Sequence, residues 1–303
     1  MTDVTTFDEH RPLLFSIAYR MLGSASDAED VVQDAWLRYH GADDVRSPRA
    51  FAATIVTRLC LDRLKSARAS REEYVGPWLP EPILTTAAGP GPSAVEGPDV
   101  TLQRSESVTL AFLVLLETLA PEERAVFILR EVFDYSHDEI AEVLELTPAN
   151  CRQLLHRAKG KIKNRPVHPE AARSRREVLG RFADALRSGD AQELTALLTE
   201  DVGFWSDGGG KVAAARRPLA GRAEVLNFLV GLHRTAVSSG VYAAASMVLE
   251  EVNGEPALLL RVGDRLETVF VLSIHDDRIA ALRVMRNPDK LRYLERQLQI
   301  RIM

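Results

Sequence analysis

Between Cys151 and Arg165 the chain carries six basic and no acidic residues. Arg152, His156, Lys159 and Lys163 recur beside an apolar series of Cys151, Leu154, Leu155, Ala158 and Ile162. On a helix the two series lie side by side, so one flank is buried while the other offers cations and polar groups. That pairing suits a helix seated in the DNA major groove, with Asn150, Arg152, Gln153, His156, Arg157 and Lys159 facing base edges and phosphates. The opposite chemistry occupies an earlier helix. Asp27, Glu29, Asp30 and Asp34, with no basic residue until Arg38, flank an apolar series of Ala28, Val31, Val32, Ala35, Trp36 and Tyr39. Phosphate would repel such a face, so a protein partner is the better fit. After Ser47-Pro48 a further helix buries Ala52, Val56, Leu59 and Cys60, and its Arg58, Arg63, Lys65 and Arg68 can track a nucleic-acid backbone. Trapping an unstacked base needs a loop as well as charge, and Gly41 to Pro48 is the candidate.

Acid–base chemistry has fewer candidates. Asp207, His233 and His275 could each act as a general base in a C-terminal pocket, but their spacing specifies no constellation, and no catalytic residue is assigned. Asp207-Gly208-Gly209-Gly210-Lys211 lacks the G-x-x-x-x-G-K-[ST] spacing of a phosphate loop, so nucleotide binding is not expected. Cys60 and Cys151 stand far apart with no C-x-x-C, which predicts two buried thiols, no disulfide and no metal site. No cofactor is expected.

The elements that must position these groups fall into distinct stretches. With 303 residues, 46% hydrophobic and 27% charged, the chain has material for two or three cores. Its longest apolar run, Leu110 to Leu116, is too short to span a bilayer, and no basic-then-apolar leader opens the sequence, so a cytoplasmic protein is expected. Residues 1–72 form the first stretch, helical from 7 to 72. From 73 to 105 runs a linker, Pro- and Gly-rich between Gly76 and Pro98, where Trp78, Leu79, Pro80, Glu81 and Pro82 place an aromatic in a stiff, extended segment. Residues 106–165 carry three helix-start signals, at Pro121, at Ser136 with Glu139, and at Thr147-Pro148. The last two helices, Ser136 to Leu144 and Pro148 to Ile162, are separated by a turn of helix-turn-helix length. Residues 166–286 begin with helices at Arg175 to Arg187, Ala191 to Leu198 and Arg222 to His233. Four β-like runs follow: Val241 to Val252, Ala257 to Val262, Leu266 to Ile274 and Ile279 to Met285, divided by Asn253-Gly254, Gly263-Asp264 and Asp276-Asp277. Helices then a meander predict an α+β domain, with 287–303 as a tail.

Asp27 to Arg38, D-A-E-D-V-V-Q-D-A-W-L-R, resembles the region 2 signature of the extracytoplasmic-function sigma factors, and Tyr135 to Ile162 resembles their region 4 helix-turn-helix. W-L-P-E-P at Trp78 to Pro82, D-G-G-G-K at Asp207 to Lys211 and N-P-D-K-L at Asn287 to Leu291 resemble the subgroup with a SnoaL-like C-terminal extension. The resemblance implies a multidomain fold of two all-α sigma domains, a region 2 helical bundle and a region 4 helix-turn-helix, followed by an α+β SnoaL-like cone-shaped barrel. It implies that Asp27, Glu29, Asp30, Gln33, Asp34 and Arg38 dock on the beta-prime clamp helices of core RNA polymerase, with region 4 near the beta flap. Residues 41–71, with Arg58, Arg63, Lys65 and Arg68, would read and melt the -10 element, and the helix from Pro148 the -35 element. The extension would regulate the sigma factor in cis, through contacts among Trp78, Leu79, Pro80, Glu81, Pro82, Asp207, Gly208, Gly209, Gly210, Lys211, Asn287, Pro288, Asp289, Lys290 and Leu291. Its pocket could hold a small-molecule ligand. Two rivals remain at this stage: a one-component helix-turn-helix regulator with a ligand-binding domain, which leaves Asp27 to Arg38 unexplained, and a cyclase or isomerase with an attached DNA-binding region.

The net charge of -5 looks adverse to a nucleic-acid binder. Residues 1–165 nevertheless hold 19 basic against 25 acidic residues, and the balance averages over faces of opposite sign.

Overall fold

A computed structural model describes residues 4–42, 45, 47–72, 74–85, 108–162, 172–240 and 245–302, with the side chains of 4–6, 67–72, 172–174 and 301–302 outside that description. The chain divides into two compact units. One comprises residues 1–73 and 90–166, the other 74–89 and 167–303. The linker expected as one piece is thus divided, and its first part is counted with the C-terminal half.

In the first unit α1 (Val4–Leu22), α2 (Ala25–His40) and α3 (Pro48–Glu72) form a bundle. Ser24 caps α2 by accepting from the Asp27 N–H at 3.1 Å, and the expected apolar stripe of Ala28, Val31, Val32, Ala35 and Tyr39 is buried. It meets Leu14, Ile17 and Met21 of α1 and Ala52, Val56 and Cys60 of α3, all buried. Then come α4 (Leu110–Leu116), α5 (Pro121–Glu131), α6 (His137–Leu144) and α7 (Pro148–Ile162). The starts predicted at Pro121, Ser136 and Pro148 are the ones observed. Ser136 and Glu139 close the capping box, with bonds of 3.2 Å and 2.7 Å. The helix-turn-helix pivots on Glu145, which holds φ 56°, and the Leu146 N–H closes the turn on the Ala141 carbonyl at 3.0 Å. The two groups of helices also pack together: Arg124 of α5, 3% exposed, donates to the Met21 carbonyl at 2.8 Å and to Glu117 at 2.7 Å. Cys60 and Cys151 are buried free thiols, and burial pushes both above the usual thiol range.

The second unit opens with α8 (Ala172–Ser188) and α9 (Ala191–Leu197), then β1 (Leu198–Asp207), β2 (Leu219–Ala220) and α10 (Arg222–Ser238). Next are β3 (Ala245–Val252), β4 (Glu255–Val262), β5 (Arg265–His275), β6 (Arg278–Met285) and α11 (Pro288–Ile302). The strands form one sheet in the order β2-β1-β6-β5-β4-β3, with β1 parallel to β6 and the other pairs antiparallel. The three predicted turns join β3 to β6, using left-handed backbone at Asn253, Gly254, Gly263, Asp276 and Asp277. Phe182, Leu186, Phe204, Leu229, Phe270 and Leu282 belong to the core between the helices and the sheet.

Two expectations change. β1 lies outside the four β-like runs, because Glu200, Asp201 and Gly203 break its alternation; it is held by the parallel partner β6 rather than by local pattern. The expected tail is a helix, α11, entered through Asn287-Pro288 and docked by Leu291, Leu294 and Leu298. Residues 241–244 of the first predicted run lie outside the described residues. Among the described residues, no helix is long and apolar enough to cross a membrane, and no cluster of metal-ligating side chains occurs.

Candidate functional site

The predicted functional residues fall on three surfaces. On α2, burial of the apolar stripe turns Asp27, Asp30, Gln33, Asp34 and Arg38 to the exterior, together with Leu37, which is 65% exposed. Glu29 is half-buried and paired with Arg11 at 2.5 Å. Arg63, grouped by sequence with the DNA-tracking cations, instead comes from α3 onto this acidic face, at 2.9 Å from Asp27 and 3.7 Å from both Asp30 and Asp34. One guanidinium thus partly neutralises three carboxylates in an i, i+3, i+7 row.

The second surface is the helix-turn-helix. The Thr147 hydroxyl accepts from the Asn150 N–H at 3.2 Å and starts α7. Cys151, Leu155 and Ala158 are buried, which leaves Asn150, Arg152, Gln153 and His156 exposed along the first turns. Farther along, Arg157 and Lys161 reach Glu123 at 3.7 Å and 2.6 Å, and Lys159 reaches Glu131 at 2.9 Å. Burial alone would raise the Glu123 carboxyl. Hydrogen bonds from Lys161 and the Ala120 N–H, with the charges of Lys161 and Arg157, outweigh it and hold the group below the usual carboxylate range.

The cations predicted for the -10 element do not form one row. Arg58 donates from Nε to the Val143 carbonyl at 2.9 Å and from Nη2 to the Glu142 carbonyl at 3.2 Å, and its Nη1 pairs with Glu145 at 2.9 Å. It thereby caps the last turn of α6, where a positive charge is favoured. Lys65 pairs with Glu122 at 3.4 Å. The side chain of Arg68 lies outside the described residues, as do Asp43, Asp44 and Arg46 of the candidate loop and Lys163 of the basic series.

The third surface lies wholly within the second unit. Asp207 ends β1 with no exposed surface, and four donors converge on its carboxylate. Oδ1 accepts from the Tyr74 hydroxyl at 2.5 Å and the Gly209 N–H at 3.0 Å; Oδ2 accepts from the Leu79 N–H and Lys290 Nζ, each at 2.8 Å. Lys290 also donates to the Leu79 carbonyl at 2.6 Å, with its ammonium 4.2 Å from the Trp78 ring centre and 4.8 Å from that of Tyr74. Asn287 caps α11 by accepting from the Asp289 N–H at 3.1 Å and donates to the Tyr74 hydroxyl at 2.9 Å. Burial and the hydrogen bond to Asp207 both push the Tyr74 phenol up.

The glycines make this approach possible. Gly209 has φ +58°, and a Cβ there would overlap the Asn287 amide; a Cβ on Gly208 would meet the Val212 carbonyl, and Gly210 lies against Val75. Lys211 pairs with Asp289, and Pro288 enters α11 while Leu291 is buried. Downstream, Pro80, Glu81 and Pro82 are buried. Ile83 exchanges hydrogen bonds with Asn253 at 3.1 Å and 2.9 Å, Leu84 bridges antiparallel to Val252, and the Leu84 N–H reaches Gln297 at 2.9 Å. The linker segment is thus added to the β3 edge of the sheet. The structure therefore brings together the three motifs singled out in sequence. It adds Tyr74 and Gln297, which gave no local signal, and Asn253, which the sequence marked only as a turn residue.

Each of the three candidate general bases has a contact of its own. Asp207 is engaged as described, His233 contacts the Leu186 carbonyl through Nδ1 at 3.1 Å, and His275 is half-exposed beside Asp276 at 3.5 Å.

Comparison with known proteins places sigma-factor families on both parts of the helical unit. The Sigma-70 region 2 family matches residues 6–70, and the Sigma-70, region 4 family matches residues 109–162. The chain is 35% identical over 304 residues to the ECF RNA polymerase sigma factor SigJ of Mycobacterium tuberculosis (strain ATCC 25618 / H37Rv), covering 95% of this chain and 93% of that protein. It is 31% identical over 295 residues to the probable ECF RNA polymerase sigma factor SigI of Mycobacterium tuberculosis (strain CDC 1551 / Oshkosh), covering 95% and 94%. The crystal structure of the Mycobacterium tuberculosis extracytoplasmic function sigma factor SigJ superposes with a TM-score of 0.75 at 34% identity, covering 96% of this chain and 98% of that one.

Proposed function

This chain belongs to the extracytoplasmic-function RNA polymerase sigma factors, and we propose that it is an alternative sigma factor whose linker is held by its own C-terminal domain. As a sigma factor it binds core RNA polymerase and promoter DNA. The acidic row of α2, with Gln33 and Arg38, is its docking face for the beta-prime clamp helices, and region 4 engages the beta flap. Asn150, Arg152, Gln153, His156, Arg157 and Lys159 meet the -35 element. Arg58, Lys65 and Arg68, with the 41–48 loop, meet the -10 element, while Arg63 serves the acidic row of α2 as its counter-ion.

The observation that carries the cis-regulatory reading is the convergence of Tyr74, Leu79 and Lys290 on buried Asp207. The linker joins regions 2 and 4, so capture of 74–85 shortens the free chain between the two DNA-reading helices. Because Arg58 and Lys65 are bonded to region 4, promoter binding requires their release, and exposed ion pairs are weak enough to be exchanged for phosphate. The C-terminal domain acts by binding rather than turnover, since Asp207, its fully buried carboxylate at the end of β1, is committed to Lys290 and the linker.

Genome-wide run-off transcription with purified chain and core polymerase tests the reading. Initiation at promoters with two spaced elements is expected, with altered output for Trp78→Ala. Initiation nowhere, or identical output from the variant, overturns the sigma-factor and cis-regulatory parts respectively.

A further inference from the structure

The C-terminal unit has a half-open cavity of about 170 Å³ between α10 and the sheet. Its walls are apolar: Phe204, Phe228, Leu232 and Met247, with the first two rings 4.9 Å apart and tilted at 55°. Besides Thr235 and Ser239, whose hydroxyls bond back to the Gly231 and Thr235 carbonyls, three polar side chains reach the same space. The Ser206 and Thr268 hydroxyls line it from residues only 2% and 4% exposed, and among the described residues neither has a hydrogen-bond partner. Arg286 supplies the third, and the Ala213 carbonyl is its one acceptor among the described residues. No described carboxylate pairs with that guanidinium. Glu267 acts on it only at a distance, and burial pushes it down from the ordinary arginine range.

We propose that this cavity is a binding site for a compact apolar carboxylate of single-ring size, its ring between Phe204, Phe228 and Met247 and its carboxylate on Arg286. The size follows from the volume, because a dry protein cavity of about 150 Å³ accommodates benzene. The charge follows from Arg286: a carboxylate supplies the counter-ion the half-buried guanidinium lacks, through charge-assisted hydrogen bonds. The two hydroxyls offer further bonds to the same head group, whereas a hydrocarbon would leave them and the remaining guanidinium donors without a partner. No carboxylate or imidazole lines the cavity among the described residues, so it binds rather than transforms its ligand.

The site shares two strand ends with the linker clamp. Ser206 faces the cavity and the next residue, Asp207, faces the linker; Arg286 faces the cavity and Asn287 bonds Tyr74. Ser206 and Asp207 are adjacent on β1 and so point to opposite sides, while Arg286 and Asn287 follow directly on the end of β6, so a ligand on one side bears on the geometry of the other. This effect on transcription rests on the cis-regulatory reading above; the binding itself does not.

Calorimetric titration of the full chain with benzoate tests the site. Saturable one-to-one binding is expected, with benzyl alcohol and the Arg286→Gln variant each weaker by roughly tenfold or more, the loss of one charge-assisted bond. Ala236→Phe, which fills the cavity from α10, should abolish binding while circular dichroism and thermal unfolding stay near wild type. No saturable binding by the folded wild-type chain, or wild-type affinity in Arg286→Gln, overturns the proposal. Run-off transcription with benzoate is the separate arm: binding without any change in transcript leaves the site standing and counts against regulation in cis.

Discussion

Asp207–Lys290 and Arg58–Glu145 both tie sequence-distant residues together, but their surroundings differ. In the first pair the carboxylate side chain has no exposure and the ammonium 10%. In the second, the guanidinium is 43% exposed and the carboxylate 75%. A desolvated pair is costly to break because either partner, left alone, is an uncompensated charge in a dry site. A solvated pair is worth little, since water replaces the lost partner. The C-terminal domain therefore holds the linker by interactions that commit it to one arrangement. The helical unit holds Arg58, Arg63, Lys65 and Lys159 by contacts that polymerase or DNA can take over at small cost. Buried polar chemistry fixes this molecule; exposed polar chemistry leaves it able to exchange partners.

The strongest way to break that contrast is Asp207→Ala. It strands the Lys290 ammonium and should destabilise the C-terminal unit by about 3–5 kcal/mol in denaturant unfolding, with new proteolysis between 74 and 85. A loss under about 1 kcal/mol would place the two pairs in the same class. Gly209→Ala comes next, at about 1–3 kcal/mol, because it adds left-handed strain and drives a methyl into Asn287. Arg58→Ala should cost about 1 kcal/mol and, with fluorophores on α3 and α7, lengthen the distance between regions 2 and 4 without unfolding either.

Glu123 sharpens the comparison through pH. Its folded carboxyl lies below the unfolded value, so its contribution is fully present above about pH 4.3 and is lost as pH falls through the folded value. Glu123→Gln should remove that part of the acid-limb slope while leaving stability near pH 7 to 8 comparatively flat. The smallest effect is expected from Arg63→Ala, within about 0.5 kcal/mol of wild-type stability. By uncovering Asp27, Asp30 and Asp34 it should strengthen low-salt binding to core polymerase, an effect that fades as salt rises.

Legibility in the sequence followed the range of the interactions. Helix starts at Pro121, Ser136 and Pro148 depend on residues within one turn, and the hairpin turns depend on two residues with left-handed backbone. Those signals survive in isolation. β1 and α11 were less legible: the strand relies on a partner some eighty residues away, and the helix declares itself only where Leu291, Leu294 and Leu298 meet the sheet. The candidate site divided likewise. Residue type set the sign of each surface, acidic on α2 and basic on α7, whereas the Arg63 counter-ion role and the Arg58 cap could not be read from a stripe of cations.

By itself, then, the sequence determined the family, the helical punctuation of regions 2 and 4, and the presence of three motifs in linker, β1 and α11. Only the tertiary structure decided what those motifs do to one another. Tyr74, Leu79 and Lys290 meet Asp207 from 133, 128 and 83 residues away, and Asn253 and Gln297 hold the same linker segment from positions outside the three motifs. A carboxylate looks the same in a string whether water or protein surrounds it. Burial, which separates a committed clamp from an exchangeable surface pair, is a property of the folded chain alone.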